Sequence, residues 1–343
     1  VTTYTWNSLG QLLTRVDPTG REVRNAYNGT TNYLQTVTVE NGASDIITTF
    51  GRNTAGDITS VTDPRSNVHM GTYDSSRRLT RYDGPSGTGA ATEWRYNVDG
   101  LVDRVRQATG LSSPNDWSTT TYTYLATGRV SRMTDPDGGI TQYSYDALNR
   151  PDCAAVRMNV AVYGSLPANA CTLSTQGTDG PDRIRRTEYD AEGQVLRERR
   201  AYGTTLAQVY ATRTWTSNGQ LDTVVDANGN LSNFDYDGFD RLRRLYFPNG
   251  TLGSGVASTT DYEEYGYDAN NNRTSLRLRS SESIGYTYDA LNREIVKDIP
   301  GGTTADVTSR YDLAGRRTFA RFSTTLTPSS DCTATGNPGI DYC

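Results

Sequence analysis

Tyr145-Asp146-Ala147-Leu148-Asn149-Arg150 returns unchanged as Tyr288-Asp289-Ala290-Leu291-Asn292-Arg293. With Gly in the fifth place the same unit stands at Tyr189-Asp190-Ala191-Glu192-Gly193-Gln194, followed by Val195, and at Tyr311-Asp312-Leu313-Ala314-Gly315-Arg316. Looser copies begin at Trp6, Tyr73, Tyr96, Tyr124, Trp215, Tyr236 and Tyr267, and degenerate ones at Tyr27 and Arg52. Trp6 and Tyr27, Arg52 and Tyr73, Tyr124 and Tyr145, and Tyr267 and Tyr288 are all 21 residues apart. A period of that length marks an array in which each repeat is one supersecondary unit.

The fifth place reports backbone geometry. Gly10, Gly100, Gly128, Gly193, Gly219 and Gly315 hold it, and Asn149, Asn271 and Asn292 replace them. Asn is the residue besides Gly that best tolerates a positive φ, so a turn is expected there. Twelve residues after the motif aromatic comes Pro18, Pro64, Pro85, Pro136, Pro248 or Pro300. Proline presets the first central position of a turn, which gives each unit a second reversal. Between the turns, pairs such as Tyr122 and Tyr124, Tyr143 and Tyr145, and Phe234 and Tyr236 are two residues apart and share one face of a strand. No segment has helical periodicity. The expected fold is all-β: tandem hairpins, about two strands per unit, in one long antiparallel strip. With about 13 units such a strip passes the ~10 strands beyond which open sheets curl or split, so a coiled form is expected, as part of a hollow shell or as an open spiral or filament. One aromatic face then needs cover, from successive coils, an enclosed polypeptide or a second molecule.

Composition limits the function. AVILMFWYC residues make up 34% of the chain, and 23 of its residues are Tyr, which suits a thin layer packed on one side and wet on the other. The net charge of -5 is scattered in both signs, which argues against nucleic acid as a partner. Lys297 is the only lysine, so Arg carries nearly all the positive charge, either because its plane stacks on rings and forks onto carboxylates or because a genome rich in G and C gives the same bias. No apolar run is long enough to span a bilayer as a helix. The chain begins at Val1, without Met or a signal peptide, and reads as a processed product or a fragment.

Catalytic constellations are weak. His69 is the only histidine and sits just after the Asp63-Pro64 turn, at a position set by the repeat. Asp74, Asp146, Asp190, Asp289 and Asp312 recur at one motif position, and a residue type repeated in every unit serves the unit's geometry, most simply by bonding the turn backbone. Asp226 to Asn230 and Asp268 to Asn272 resemble the opening of a calcium loop but lack its glycine and its glutamate, so plain turns are expected. No catalytic residue, cofactor or metal site is assigned. Stacking within the repeat is the expected role of Trp94, Trp117 and Trp215, ahead of sugar binding. The structural residues singled out are Tyr124 and Gly128, Tyr145 and Asn149, Tyr189 and Gly193, Tyr236, Tyr288 and Asn292, and Tyr311 and Gly315. The cysteines fall in two close pairs, Cys153 with Cys171 and Cys332 with Cys343, without zinc spacing; two local disulfides are expected, with inert thiols in a cytosolic protein as the alternative.

The Tyr-Asp-Ala-x-Gly/Asn-Arg cores, with Asp-Pro-x-Gly turns between them, resemble the YD repeats of bacterial Rhs proteins, insecticidal toxin complexes and teneurins. The resemblance runs from about Thr3 to Phe322. It implies a β-strip wound into a hollow shell that can enclose a toxin polypeptide, in a secreted or surface protein. Bacterial members often continue into a self-cleaving segment and a toxic domain, neither of which is recognisable after Arg321. The expected organisation is a repeat strip over 1–150, a disulfide-bearing insertion over 151–183, a resumed strip over 184–322 and a Cys-containing tail over 323–343. The expected function is a structural scaffold or shell segment, extracellular or on a bacterial surface. Its expected partners are other segments of the same protein, an enclosed polypeptide or further copies of itself. A self-assembling extracellular fibre and a glycan-binding adhesin are the alternatives.

Overall fold

In a computed structural model of the chain, the described residues are 2–42, 44–85, 88–108, 117–301, 306–312, 315–322 and 339–341. The chain divides into two compact units, Val1–Arg183 and Ile184–Cys343. Among the described residues the first unit holds fourteen strands, from Thr3–Trp6 to Pro151–Arg157. Thirteen more run from Arg183–Tyr189 to Gly339–Asp341. Among the described residues helix is confined to one 3-10 turn, Val160–Val162. Within each unit every strand pairs antiparallel with its neighbour in the chain, as where Leu221–Asp226 lies between Gln208–Trp215 and Leu231–Tyr236. The motif turns therefore line one edge of a unit's sheet and the second turns the other.

Tyr, Thr, Val and Arg make these strands because branched and aromatic side chains fit a half-buried pleated surface. Except after Tyr27, where it is one residue longer, the motif turn is a four-residue reversal closed by a residue at positive φ. The Asn149 amide donates to the Asp146 carbonyl at 2.9 Å, and the Asp146 amide to the Arg150 carbonyl at 2.9 Å. The register slips by a residue beside every motif aromatic. Ser144 faces Cys153, whereas Tyr145 faces Pro151. The same slip stands at all 13 motif positions from Trp6 to Tyr311. A bulge of this kind bends its strand and increases the local twist.

The sheets are single layers. Strands touch their neighbours along the chain and little else; a minor contact between Leu231–Tyr236 and Ala257–Tyr267 is the exception. Among the described residues neither unit folds a further coil over its own aromatic face. Burial is correspondingly sparse: the buried hydrophobic residues are Ile140, Cys153, Ala155 and Ala170 in the first unit and Ile184, Ala211 and Tyr286 in the second. The first four gather where residues 158–182 fold back over strands Ile140–Tyr145 and Pro151–Arg157. The stretch set apart at residue 151 in the sequence thus opens with a paired strand.

Candidate functional site

The repeated turn is the most elaborate local structure. In the unit at Tyr145, Asp146 Oδ1 accepts from the amides of Leu148 and Arg150, both at 2.9 Å, and Oδ2 accepts from Arg150 Nε at 2.7 Å. Asp289 repeats this with Leu291 and Arg293 at 2.9, 3.0 and 2.7 Å. Asp237 does so with Phe239 and Arg241 at 2.9, 3.1 and 2.8 Å. These bonds favour the ionised carboxylate. The Arg293 guanidinium and then its amide hold Asp289 below the usual carboxylate range. The fifth residue closes the turn with φ of +78° at Gly128, +61° at Asn149, +89° at Gly193, +58° at Asn292 and +80° at Gly315. Arg77 and Asp240 occupy the same place, each at +62°, although neither is a residue type that the sequence pattern singles out. Neighbouring units hold both: Arg77 forks onto Asp57, and Asp240 accepts from Asn218 Nδ2 at 2.9 Å.

Most of the motif aromatics then fasten their hairpin to the one before. Tyr145 Oη donates to the Val130 carbonyl at 3.0 Å, and Val130 faces the preceding motif residue Tyr124. Tyr236 reaches Leu221 at 2.8 Å, Tyr288 reaches Arg273 at 3.0 Å and Tyr311 reaches Glu294 at 2.9 Å. Tyr124 reaches Val102 in the same way. Trp215 substitutes its indole N–H, donating to Val195 at 3.1 Å, and Arg52 points Nε at Leu34 at 3.4 Å. Tyr, Trp and Arg share a side-chain donor, and none of the six Phe residues occupies this position. A bulge leaves ladder groups without backbone partners, and the donor supplies one. The turn arginine adds a second tie by lying over the next ring: Arg78 over Tyr96 at 4.4 Å, Arg241 over Tyr267 at 4.6 Å and Arg293 over Tyr311 at 4.7 Å. In the unit that follows the insertion, Tyr189 faces Val195 across its bulge.

The insertion makes a different site. Cys153 and Cys171 form a disulfide with Cα atoms 5.3 Å apart. Beneath it the Arg157 and Asp182 side chains, 0% and 1% exposed, pair at 2.6 Å. Arg157 also holds Gln142 Oε1 at 3.0 and 2.7 Å and the Thr172 carbonyl at 2.8 Å. Burial raises the Asp182 pKa, but the Ser174 and Met158 amides and Arg157 outweigh it and keep the group below the usual carboxylate range. Asp152, Cys153 and Cys171 lie close enough to suggest a metal cluster, but the disulfide consumes both sulfurs. Cys332 and Cys343 lie outside the described residues.

The remaining sequence candidates are turns and stacks. His69 Nδ1 meets Tyr82 Oη at 2.6 Å, with the two rings stacked. Asp226 and Asp268 spend their oxygens on their own turns, accepting from Asn230 and Asn272 respectively through both amide and side chain. Trp117 lies beneath Arg81 and Arg106, which share Glu93.

The RHS Repeat family model matches residues 124–157, the hairpins that open at Tyr124 and Tyr145. Over that stretch the chain is similar to the Rhs/YD-repeat family. A relative, the double-stranded DNA deaminase toxin A of Burkholderia cenocepacia (strain H111), is 28% identical over 162 residues, which cover 42% of this chain and 10% of that protein. The crystal structure of TcdB2-TccC3-Cdc42 aligns over 99% of this chain and 22% of its own, at 13% identity and a TM-score of 0.46. A Photorhabdus luminescens Tc holotoxin pore aligns over 93% and 21%, at 14% identity and 0.44. The chain spans about a fifth of those structures and its match a tenth of the toxin.

Proposed function

We propose that this chain is a wall segment: a structural YD-repeat scaffold of a secreted or surface protein that encloses or presents an effector polypeptide. The observation that supports it most directly is the division of labour within the repeat. Most of the charged and hydrogen-bonding groups singled out by the period close a turn or tie one hairpin to the next. A layer one strand thick, stiffened along its length in this way and bare on its faces, suits a partition better than a catalyst. The relative named for DNA deamination fits such a reading if its activity lies outside the stretch that matches here.

Electron microscopy of particles carrying this chain tests the proposal. Thin curved walls around an internal volume are expected. Fibres that lengthen with protein concentration would favour strip-to-strip assembly instead, and solid globules would contradict a wall. No hydrolytic turnover is expected from the purified chain, and turnover abolished by His69→Ala would overturn the structural reading.

A further inference from the structure

The disulfide that closes the insertion lies beside a bulge. Ser144 faces Cys153 and Tyr145 faces Pro151, so Asp152 is the extra residue between them. A residue left out of the ladder in this way does not follow the strict alternation of faces, and Asp152 sits against the disulfide together with its neighbour Cys153. Its Oδ2 lies 3.2 Å from the Cys171 sulfur and its Oδ1 3.9 Å from the Cys153 sulfur. The sulfurs of a disulfide have no proton to donate, so neither contact is a hydrogen bond. A carboxylate oxygen and both sulfurs lie within 4.8 Å of one another.

The backbone under these three groups is held by bonds that do not pass through the disulfide. Cys153 stands on the strand Pro151–Arg157, which pairs with Ile140–Tyr145. Across from it, the Cys171 amide donates to Asn169 Oδ1 at 2.7 Å and the Ala170 amide to Ser144 Oγ at 2.6 Å. The buried Arg157 guanidinium ties down the carbonyls of Thr172 at 2.8 Å and Asn169 at 3.4 Å, on either side of Cys171. Reduction would therefore leave two thiols and a carboxylate gathered in one place. Tetrahedral zinc holds sulfur at about 2.3 Å and carboxylate oxygen at about 2.0–2.2 Å, which sets its ligand atoms roughly 3.5–3.8 Å apart. Small side-chain rotations reach that spread from here.

We propose that the insertion carries a redox-gated zinc site: once the disulfide is reduced, Cys153, Cys171 and Asp152 bind one Zn²⁺, with water in the fourth place. The reductant is a dithiol. One of its thiolates attacks the Cys171 sulfur, which is half-buried where Cys153 is buried, and Cys153 leaves as the thiolate. The dithiol's second sulfur then displaces Cys171 and departs as a cyclic disulfide, having supplied two electrons. Zinc takes both cysteines as thiolates, so the two protons of the dithiol end in solution. Two sulfurs and one carboxylate select zinc over calcium or magnesium, which take oxygen ligands. The insertion is thereby closed by a covalent bond in oxidising surroundings and by a metal in reducing ones.

The test uses the whole chain carrying Cys332→Ser and Cys343→Ser, so that one cysteine pair remains, reduced with a phosphine and titrated with Co²⁺ and then Zn²⁺. The reduced chain should take up one equivalent of cobalt, with sulfur-to-cobalt charge-transfer absorption and the visible bands of a tetrahedral site, all abolished by zinc. The oxidised chain should take up none. Outer-shell partners of a metal are worth roughly 10–100-fold in affinity, so losing a ligand in Asp152→Asn should weaken binding at least about tenfold. That variant keeps its disulfide when oxidised, and circular dichroism of the oxidised form checks its fold. Proteolysis within 158–182 should rise on reduction in the presence of a chelator and fall back when zinc is added. No uptake on reduction, equal uptake by the oxidised chain, full affinity in folded Asp152→Asn, or zinc binding without renewed protection would each overturn the proposal.

Discussion

The motif tyrosine is identified less by its ring than by its hydroxyl. Phe would fill the same space, yet Tyr, Trp and Arg are what recur, and each places a donor on the carbonyl across the preceding bulge. Tyr236→Phe should therefore cost about 1 kcal/mol, the typical net contribution of one hydrogen bond. The loss should appear in hydrogen exchange as weaker protection of Leu221–Asp226 and Leu231–Tyr236, with the ring's packing intact. The turn aspartates make a pH prediction. Asp289, with an ordinary value of 3.8, is depressed in the fold by Arg293, and the same sense holds at Asp74, Asp146, Asp237 and Asp268. A depressed carboxylate contributes stability that is present above its unfolded pKa and is lost as pH falls through the folded one. Circular dichroism should hold steady from neutrality down to about pH 4 and decline below it, and Asp289→Asn should reduce the acid sensitivity of its own hairpin.

At the level of the hairpin, much could be read in advance and some could not. The spacing of Tyr145, Asn149 and Pro136 already implied two turns per unit and strands between them, because Gly, Asn and Pro record φ directly. The bulge left no comparable mark. It depends on which residue faces the aromatic across the hairpin, and pairing register is not a property of any single residue type. The Oη-to-carbonyl tie did leave one, the absence of Phe from the motif position. The buried pair of Arg157 and Asp182 left none, since its partners, Gln142 and Thr172, come together only once the insertion folds back. The insertion should unfold as its own element. Arg157→Met strands Asp182 without a counter-charge in a site that is 1% exposed, which should cost about 3–5 kcal/mol. Reducing the disulfide, which closes a loop of 18 residues, should cost about 3 kcal/mol by the chain-entropy argument. Both should raise proteolysis within 158–182 and leave the hairpin at Tyr288 protected.

At the scale of the whole chain the central claim is that stability is local and additive, passed from each hairpin to the next by one backbone ladder, one hydroxyl and one arginine. Sheets one layer thick, with few buried residues, offer no common core through which damage at one end could reach the other. Hydrogen exchange on the intact chain carrying Gly193→Val is the most direct test. Gly193 has φ of +89°, a region that a β-branched residue avoids at a cost of about 1–2 kcal/mol or more. Protection should fall in Arg183–Tyr189 and Val195–Arg200, fall less in Gln208–Trp215, and stay unchanged at Ser283–Tyr288 and Glu294–Asp298. Loss spread evenly over every strand, or no loss at all, would contradict the account.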